Sequence, residues 1–102
     1  MSPMFSLEGK NAAVVGGGSG IGEAVAIAMA EQGAYVACLD INLDEAIGTA
    51  DSIRDLGGSS DADHLDILDA NAVNSSLSKV YADHGSLDIV VCTPGVNVRK
   101  RL

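Results

Sequence analysis

Glycine is concentrated in one short segment of this sequence, since five of the 12 glycines lie between positions 16 and 22. The segment follows a short apolar run at 11–15 and precedes a helical pattern of apolar residues. Glycine allows a tight turn and lets a ligand approach the backbone without meeting a Cβ atom. The N-terminus of a helix adds unpaired N–H groups and the positive end of a dipole. A glycine loop in this setting predicts a pyrophosphate-binding site, with a ligand-free tight turn as the alternative.

Apolar runs alternate with helical patterns along the rest of the sequence. Runs at 11–15, 34–39, 62–65 and 87–91 predict four strands, and the Pro94-Gly95 pair is expected to end the last one. The resulting β-α-β-α-β-α-β order predicts an α/β fold. Its sheet would be parallel, covered by helices and connected by right-handed crossovers.

Three helices are predicted between these strands, with glycines at their ends and polar caps at two of their starts. Gly33, the 57–58 pair and Gly85 suit the C-terminal ends, while Asn42 and Asp69 suit the N-caps of the second and third helices. The apolar spacing predicts an inward face for each helix: Ile21, Ala24, Val25, Ala28 and Met29; then Leu43, Ala46, Ile47, Ala50 and Ile53; then Val73, Leu77, Val80 and Tyr81.

The spacing of the loop glycines distinguishes between types of phosphate-binding loop. Gly17 and Gly22 have the glycine spacing of a P-loop, but Glu23 stands where that loop needs lysine, and a carboxylate there would repel phosphate. The strict GxGxxG pattern fails in every register. The pattern that fits is GxxxGxG, formed by Gly16, Gly20 and Gly22.

An acidic residue after the second predicted strand also indicates a nucleotide. Asp40 lies 18 residues after Gly22, close to the ~20 expected for a carboxylate that binds ribose hydroxyls. The same carboxylate would repel a 2′-phosphate, and no Arg or Lys lies near it in sequence. We therefore predict that NAD is preferred over NADP; a solvated acid at the strand end is the alternative.

Together these motifs resemble the short-chain dehydrogenase/reductase family over nearly the whole chain. The family's Thr-Gly-x-x-x-Gly-Ile-Gly loop matches 15–22, with Val15 in place of threonine, and its NAD-specific acid matches Asp40. Its Asp-Val/Ile pair after the third strand matches Asp66 and Ile67, which the resemblance places at the adenine ring. The resemblance implies a Rossmann-like doubly wound parallel sheet, of which only the first β-α-β-α-β-α-β portion is present. It also implies cofactor contacts from six loop residues: Gly16, Gly18, Ser19, Gly20, Ile21 and Gly22.

The fourth strand departs from the family pattern. The family's Leu-Asp-Ile-Leu-Val-Asn-Asn-Ala-Gly stretch aligns with 87–95, but its Asn-Asn-Ala-Gly part reads Cys92-Thr93-Pro94-Gly95. These residues supply no side-chain amide, and proline has no N–H to donate. The resemblance therefore implies cofactor contacts here only from the backbone of Cys92 and Gly95.

The family's catalytic residues have no match in this sequence. The resemblance requires a Ser and a Tyr-x-x-x-Lys, but Tyr35 is followed four residues later by Leu39 and Tyr81 by Gly85. We therefore interpret 1–102 as the N-terminal part of a single NAD(P)-binding domain, with no catalytic residue. The whole enzyme would transfer hydride between NAD and a secondary alcohol or ketone, and this chain alone would be inactive. The alternatives are a stand-alone nucleotide-binding or regulatory module and a methyltransferase-like fold.

Charge and composition narrow the range of partners. With 14 acidic and six basic side chains the formal charge is −8, which disfavours nucleic acid. No Cys or His spacing suits a metal, and no apolar stretch is long enough for a membrane span. Cys38 and Cys92 are expected as small core residues of a reduced, cytoplasmic protein. Besides the dinucleotide cofactor, the expected partner is a second copy, or the remainder of the enzyme, paired with the fourth strand.

Overall fold

Four parallel strands and three helices alternate along residues 6–93, the part of the chain that this computed structural model describes. The elements are β1 (Asn11–Val15), α1 (Gly20–Glu31), β2 (Tyr35–Asp40), α2 (Leu43–Asp55), β3 (Ser59–His64), α3 (Ala70–His84) and β4 (Ile89–Cys92). The predicted α/β fold with a parallel sheet is confirmed. The expected strand break at 94–95 lies outside the described residues.

The order of the strands in the sheet is β3-β2-β1-β4. From β1 the chain builds outward to β2 and β3, and it then crosses back to place β4 on the other side of β1. Val15 is aligned with Leu39 of β2 and with Cys92 of β4, so three strands end at the same edge. Ligands of open α/β sheets bind at the carboxyl ends of the strands, where the strand order reverses. The glycine loop after β1 lies at this point.

Both faces of the two central strands are buried. Ala12, Val14, Val36 and Cys38 pack toward Ala26 of α1 and toward Ala46 and Ile53 of α2. The alternate residues, Ala13, Val15, Ala37 and Leu39, pack with Leu65 and with Val80 of α3. Central strands of this kind are continuous apolar runs rather than alternating patterns, which is why β1 and β2 were readily predicted from the sequence.

Local capping chemistry fixes the helix ends as expected. The Asn42 side chain accepts from the Glu45 N–H at 3.1 Å, and the Asp69 side chain accepts from the Ala72 N–H at 3.1 Å. Gly85 follows α3 with φ +87°, a left-handed conformation that favours glycine.

The inward faces of the helices differ from those predicted. In α1, Ile21, Ala24 and Ala28 are exposed, whereas Gly22 and Ala26 are buried. In α2, Leu43 and Ile47 are exposed, and Thr49 is buried beside Ala46, Ala50 and Ile53. In α3, Tyr81 is exposed. The cause in α1 is that apolar residues occur all around the helix, so periodicity alone cannot select the buried side.

Strand boundaries also shift at the two edges of the sheet. β3 covers 59–64 rather than 62–65, and β4 covers 89–92 rather than 87–91. β3 pairs only with β2 among the described strands, and its residues are mostly polar. Because an edge strand is held by backbone pairing, its sequence does not need an apolar run to mark its start.

Candidate nucleotide-binding site

The turn from β1 into the glycine loop is pinned to the end of β2. The N–H groups of Gly16 and Gly17 donate to the Leu39 carbonyl at 2.7 and 3.1 Å. Gly16 has φ +88°, and a Cβ atom there would collide with the carbonyl and hydroxyl oxygens of Thr93. Only glycine combines this conformation with this close approach.

Gly22 brings the start of α1 into contact with the beginning of the loop. A Cβ atom on Gly22 would overlap the Gly16 carbonyl oxygen and would lie 2.7 Å from Thr93 Oγ1. The same Thr93 hydroxyl lies 3.1 Å from the Gly16 carbonyl oxygen and 3.2 Å from that of Val15. Loop, helix and the end of β4 therefore form one closely packed unit.

The middle of the loop is held by β2 and α2. The Gly18 N–H donates to Asp40 Oδ2 at 2.8 Å, and the Gly18 carbonyl accepts from the buried Thr49 hydroxyl at 3.2 Å. A Cβ atom on Gly18 would come within 2.9 Å of the Asp40 carboxylate and the start of α2. The loop is thus tied directly to the acid that was predicted to bind ribose.

The start of α1 presents free backbone donors. Within residues 6–93, the N–H groups of Ser19, Gly20, Ile21 and Gly22 donate to no carbonyl or side-chain oxygen. Ser19 is the N-cap residue, but its side chain makes no capping hydrogen bond. Such N–H groups, together with the helix dipole, attract an anion.

Asp40 is the last residue of β2 and is half-buried. Its Oδ2 accepts from Gly18, and its Oδ1 accepts from the Asn42 N–H at 3.0 Å. A carboxylate offers about four lone-pair positions, so both oxygens can still accept a further hydrogen bond. The two backbone contacts orient the carboxylate beside the loop.

Asp66 and Ile67 follow β3 at the same edge of the sheet. The Leu65 N–H donates to the Asp40 carbonyl at 2.9 Å, which places the next residue, Asp66, close to the end of β2. Asp66 Oδ1 accepts from the Leu68 N–H at 2.9 Å, and the Ile67 side chain is exposed. The structure brings this pair, Asp40 and the glycine loop to one edge.

The two cysteines have different environments. Cys38 is buried, and burial raises the pKa of its thiol. Cys92 is exposed at the end of β4, so the prediction that both cysteines are core residues is wrong for Cys92. Cys92 lies on the same face of β4 as the exposed Val90, and among the described residues neither side chain belongs to the cluster that packs with α3 on that face. Gly95, the other predicted backbone contact of this segment, lies outside the described residues.

Two threonines contact the loop without having been predicted to do so. Thr49 shares the i, i+3, i+4, i+7 spacing of Ala46, Ala50 and Ile53, which is a signal that it faces inward. Thr93 has no comparable signal, because its partners Val15 and Gly16 lie 78 and 77 residues away in sequence.

Two other kinds of feature, a metal-ligand cluster and a membrane-spanning helix, are absent from residues 6–93. No three or more His, Cys, Asp or Glu side chains in this range are grouped as metal ligands. No helix in the same range is long and apolar enough to cross a membrane.

Comparison with known proteins identifies the family. The family model for short chain dehydrogenases matches residues 10–102. The chain belongs to the short-chain dehydrogenase family. This family consists of oxidoreductases that bind a nicotinamide dinucleotide.

Relatives of this short-chain dehydrogenase chain are similar to it both in sequence and in fold. It is 38% identical over 94 residues to the oxidoreductase YxbG of Bacillus subtilis, covering 92% of this chain and 34% of that protein. A hydroxysteroid dehydrogenase from Escherichia coli superposes with a TM-score of 0.86 at 36% identity, covering 89% of this chain and 39% of that one.

A solved structure with a cofactor is also similar. The 7α-hydroxysteroid dehydrogenase complexed with NADH and 7-oxo glycochenodeoxycholic acid has a TM-score of 0.82 at 35% identity, covering 88% of this chain and 36% of that one. The chain therefore spans about a third of the length of the curated relatives it matches.

Proposed function

We propose that this chain supplies the adenosine half of an NAD site in a short-chain dehydrogenase. The observation that carries the proposal is the set of N–H groups at 19–22 that have no acceptor within residues 6–93, beside the oriented carboxylate of Asp40. Unpaired amide donors suit the pyrophosphate, and a carboxylate suits the vicinal hydroxyls of ribose.

The residues present fit the dinucleotide. Positions Gly16, Gly18 and Gly22 have no room for a Cβ atom, so the loop backbone is closely packed and its shape is well defined. In the proposed complex, Gly16, Gly18, Ser19, Gly20, Ile21 and Gly22 form the loop at the pyrophosphate, and Asp40 accepts from the ribose. Asp66 would accept from the adenine amino group, Ile67 would pack beside the ring, and Cys92 and Gly95 would contribute backbone.

The charges around Asp40 favour NAD over NADP. Asp44 and Glu45 lie in the first turn of α2, just after Asp40, and add to its negative field. Arg54 is turned to other partners, Asp51 at 2.9 Å and Asp61 at 3.3 Å. A 2′-phosphate would therefore meet carboxylates, with no compensating guanidinium or ammonium group from residues 6–93.

In this proposal the described residues bind the cofactor, and other residues catalyse the hydride transfer. When bound, the nicotinamide dinucleotide supplies the hydride donor or acceptor for a secondary alcohol or ketone. The residues described here bind and orient its adenosine part. Since Tyr35 and Tyr81 have no lysine four residues later, the acid/base pair of the family would come from outside this sequence. Alone, the chain would act as a nucleotide-binding module.

Calorimetric titration of the chain with NAD, NADP and S-adenosylmethionine tests the proposal. We expect NAD to bind most tightly, and Asp40→Ala to weaken NAD binding by about 1–3 kcal/mol through loss of a charge-assisted hydrogen bond. NADP binding should weaken less or improve, because a repulsive charge is removed.

Asp55→Ala is the matched control, because it removes the same charge from the far end of α2. It should leave the preference for NAD unchanged. Equal losses for NAD and NADP in Asp40→Ala would contradict the role of Asp40. Tighter binding of S-adenosylmethionine than of NAD would favour the methyltransferase-like alternative.

A further inference from the structure

Thr49 is a buried polar side chain in the middle of α2 that bonds outside its own helix. It has 0% exposure, and its hydroxyl donates to the Gly18 carbonyl at 3.2 Å. Threonine in a helix often bonds to the carbonyl one turn earlier instead. A buried hydroxyl without a partner is costly, so this contact couples the packing of α2 to the shape of the glycine loop.

The contact fixes the orientation of one peptide group. In a trans peptide the carbonyl and the N–H of the next residue point in opposite directions. Because Thr49 holds the Gly18 carbonyl, the Ser19 N–H is directed away from α2. That N–H is one of the four loop donors without an acceptor in residues 6–93.

Gly18 is also linked to Asp40, the acid that is proposed to bind ribose. The Gly18 N–H donates to Asp40 Oδ2 at 2.8 Å, so Gly18 is held by Thr49 on one side and by Asp40 on the other. If the Gly18 carbonyl were free to rotate, the Ser19 N–H would lose its fixed direction, because both belong to the same peptide group.

We propose that Thr49 is a positioning residue of the nucleotide site. It keeps the Ser19 N–H available to a phosphate oxygen by holding the Gly18 carbonyl, without touching the nucleotide itself. The inference rests on the proposed dinucleotide site. It implies that Thr49, a buried residue of α2, affects how tightly that site binds the nucleotide.

Two measurements on the chain test this role. Thr49→Val removes the hydroxyl at nearly constant shape, and Thr49→Ser retains it. We expect the valine variant to bind NAD about fivefold more weakly and its Gly18 amide to exchange with solvent about fivefold faster, the factor for one neutral hydrogen bond. The serine variant should restore both values to those of the parent. Thr49→Ala provides a second variant without the hydroxyl if the valine variant does not fold.

Ser60→Ala is the control for a merely structural effect. Ser60 is also buried, and its hydroxyl donates to the Val36 carbonyl at 2.7 Å, near the opposite end of the sheet. We expect this variant to melt at a lower temperature than the parent. Its NAD affinity and its Gly18 exchange rate should match those of the parent, because the glycine loop is untouched.

The outcomes separate the two proposals. If the parent binds NAD and the valine variant matches it in both affinity and Gly18 exchange, the role of Thr49 is overturned. If the parent binds no NAD, the proposed function fails. The Gly18 exchange rates then still decide whether Thr49 holds the loop, since that measurement needs no ligand.

Discussion

Adding one carbon atom at Gly22 tests whether the glycine loop is closed by direct backbone contact. In Gly22→Ala the new Cβ atom would overlap the Gly16 carbonyl oxygen and would come within 2.7 Å of Thr93 Oγ1. The overlapped atom belongs to the backbone and cannot rotate away as a side chain would. The loop and the first turn of α1 must therefore move apart.

The expected change in the unfolding free energy of Gly22→Ala has two opposing contributions. Overpacking costs about 1–3 kcal/mol, and the upper end applies because the obstacle is backbone. Replacing glycine by alanine in a helix recovers about 1 kcal/mol. Gly48→Ala isolates the second term, because Gly48 lies in α2 with nothing within 4 Å of the new Cβ atom. The two variants should thus differ in unfolding free energy by about 3 kcal/mol, from the overlap alone.

Thermal unfolding and NAD titration together measure this difference. For a domain of this size 1 kcal/mol corresponds to about 4–8 °C, so the melting temperatures should differ by roughly 12–24 °C. Gly48→Ala should melt above the parent and bind NAD as the parent does. Gly22→Ala should melt below the parent and lose NAD binding. Equal melting temperatures and equal NAD affinities for both variants would refute the packing argument and the assignment of the loop as the pyrophosphate site.

Two further predictions concern acid stability and association. The Asn11 N–H at 2.8 Å and the Ser86 hydroxyl lower the pKa of Asp88, so this carboxylate stabilises the fold above pH about 4 and loses that contribution as the pH falls further. Asp88→Asn should therefore melt below the parent at pH 7 but not at pH 2, and a constant difference across that range would contradict the linkage. Among the described strands β4 lies at an edge of the sheet, and its Val90 is half-exposed, so the chain should dimerise at low micromolar concentration through this edge. Sedimentation of a compact monomer, with no binding of a dye for apolar surface, would count against it.

Several features of the fold could be predicted because they depend on local sequence. β1 and β2 are unbroken apolar runs that end at a glycine and an aspartate, and the caps Asn42 and Asp69 bond to their own helices. The parallel, helix-covered sheet follows from the alternation of strands and helices along the chain. The sequence also located the glycine loop between the first strand and the first helix, and Asp40 at the end of the second apolar run.

The rotation of the helices could not be predicted in this way. The residues of α1 are nearly all small or apolar, so several faces have similar hydrophobicity. The face that is buried contains Gly22, because only a residue without a Cβ atom can lie against the Gly16 carbonyl. In α2 the buried residue that was not predicted is Thr49, because a polar residue was not assigned to the core although it shares the spacing of Ala46, Ala50 and Ile53.

The sequence alone therefore accounts for the elements, their order along the chain and the loop at which a nucleotide would bind, because these depend on neighbours along the chain. The tertiary structure decided which side chains hold the loop. Thr49 and Thr93 reach it from positions 31 and 77 residues away. Their hydroxyls contact the loop carbonyls only when α2 and β4 have packed against β1 and β2. These contacts also depend on the strand register, which aligns Val15 with Leu39 and with Cys92. Backbone pairing between strands sets this register, and no short stretch of the sequence predicts it.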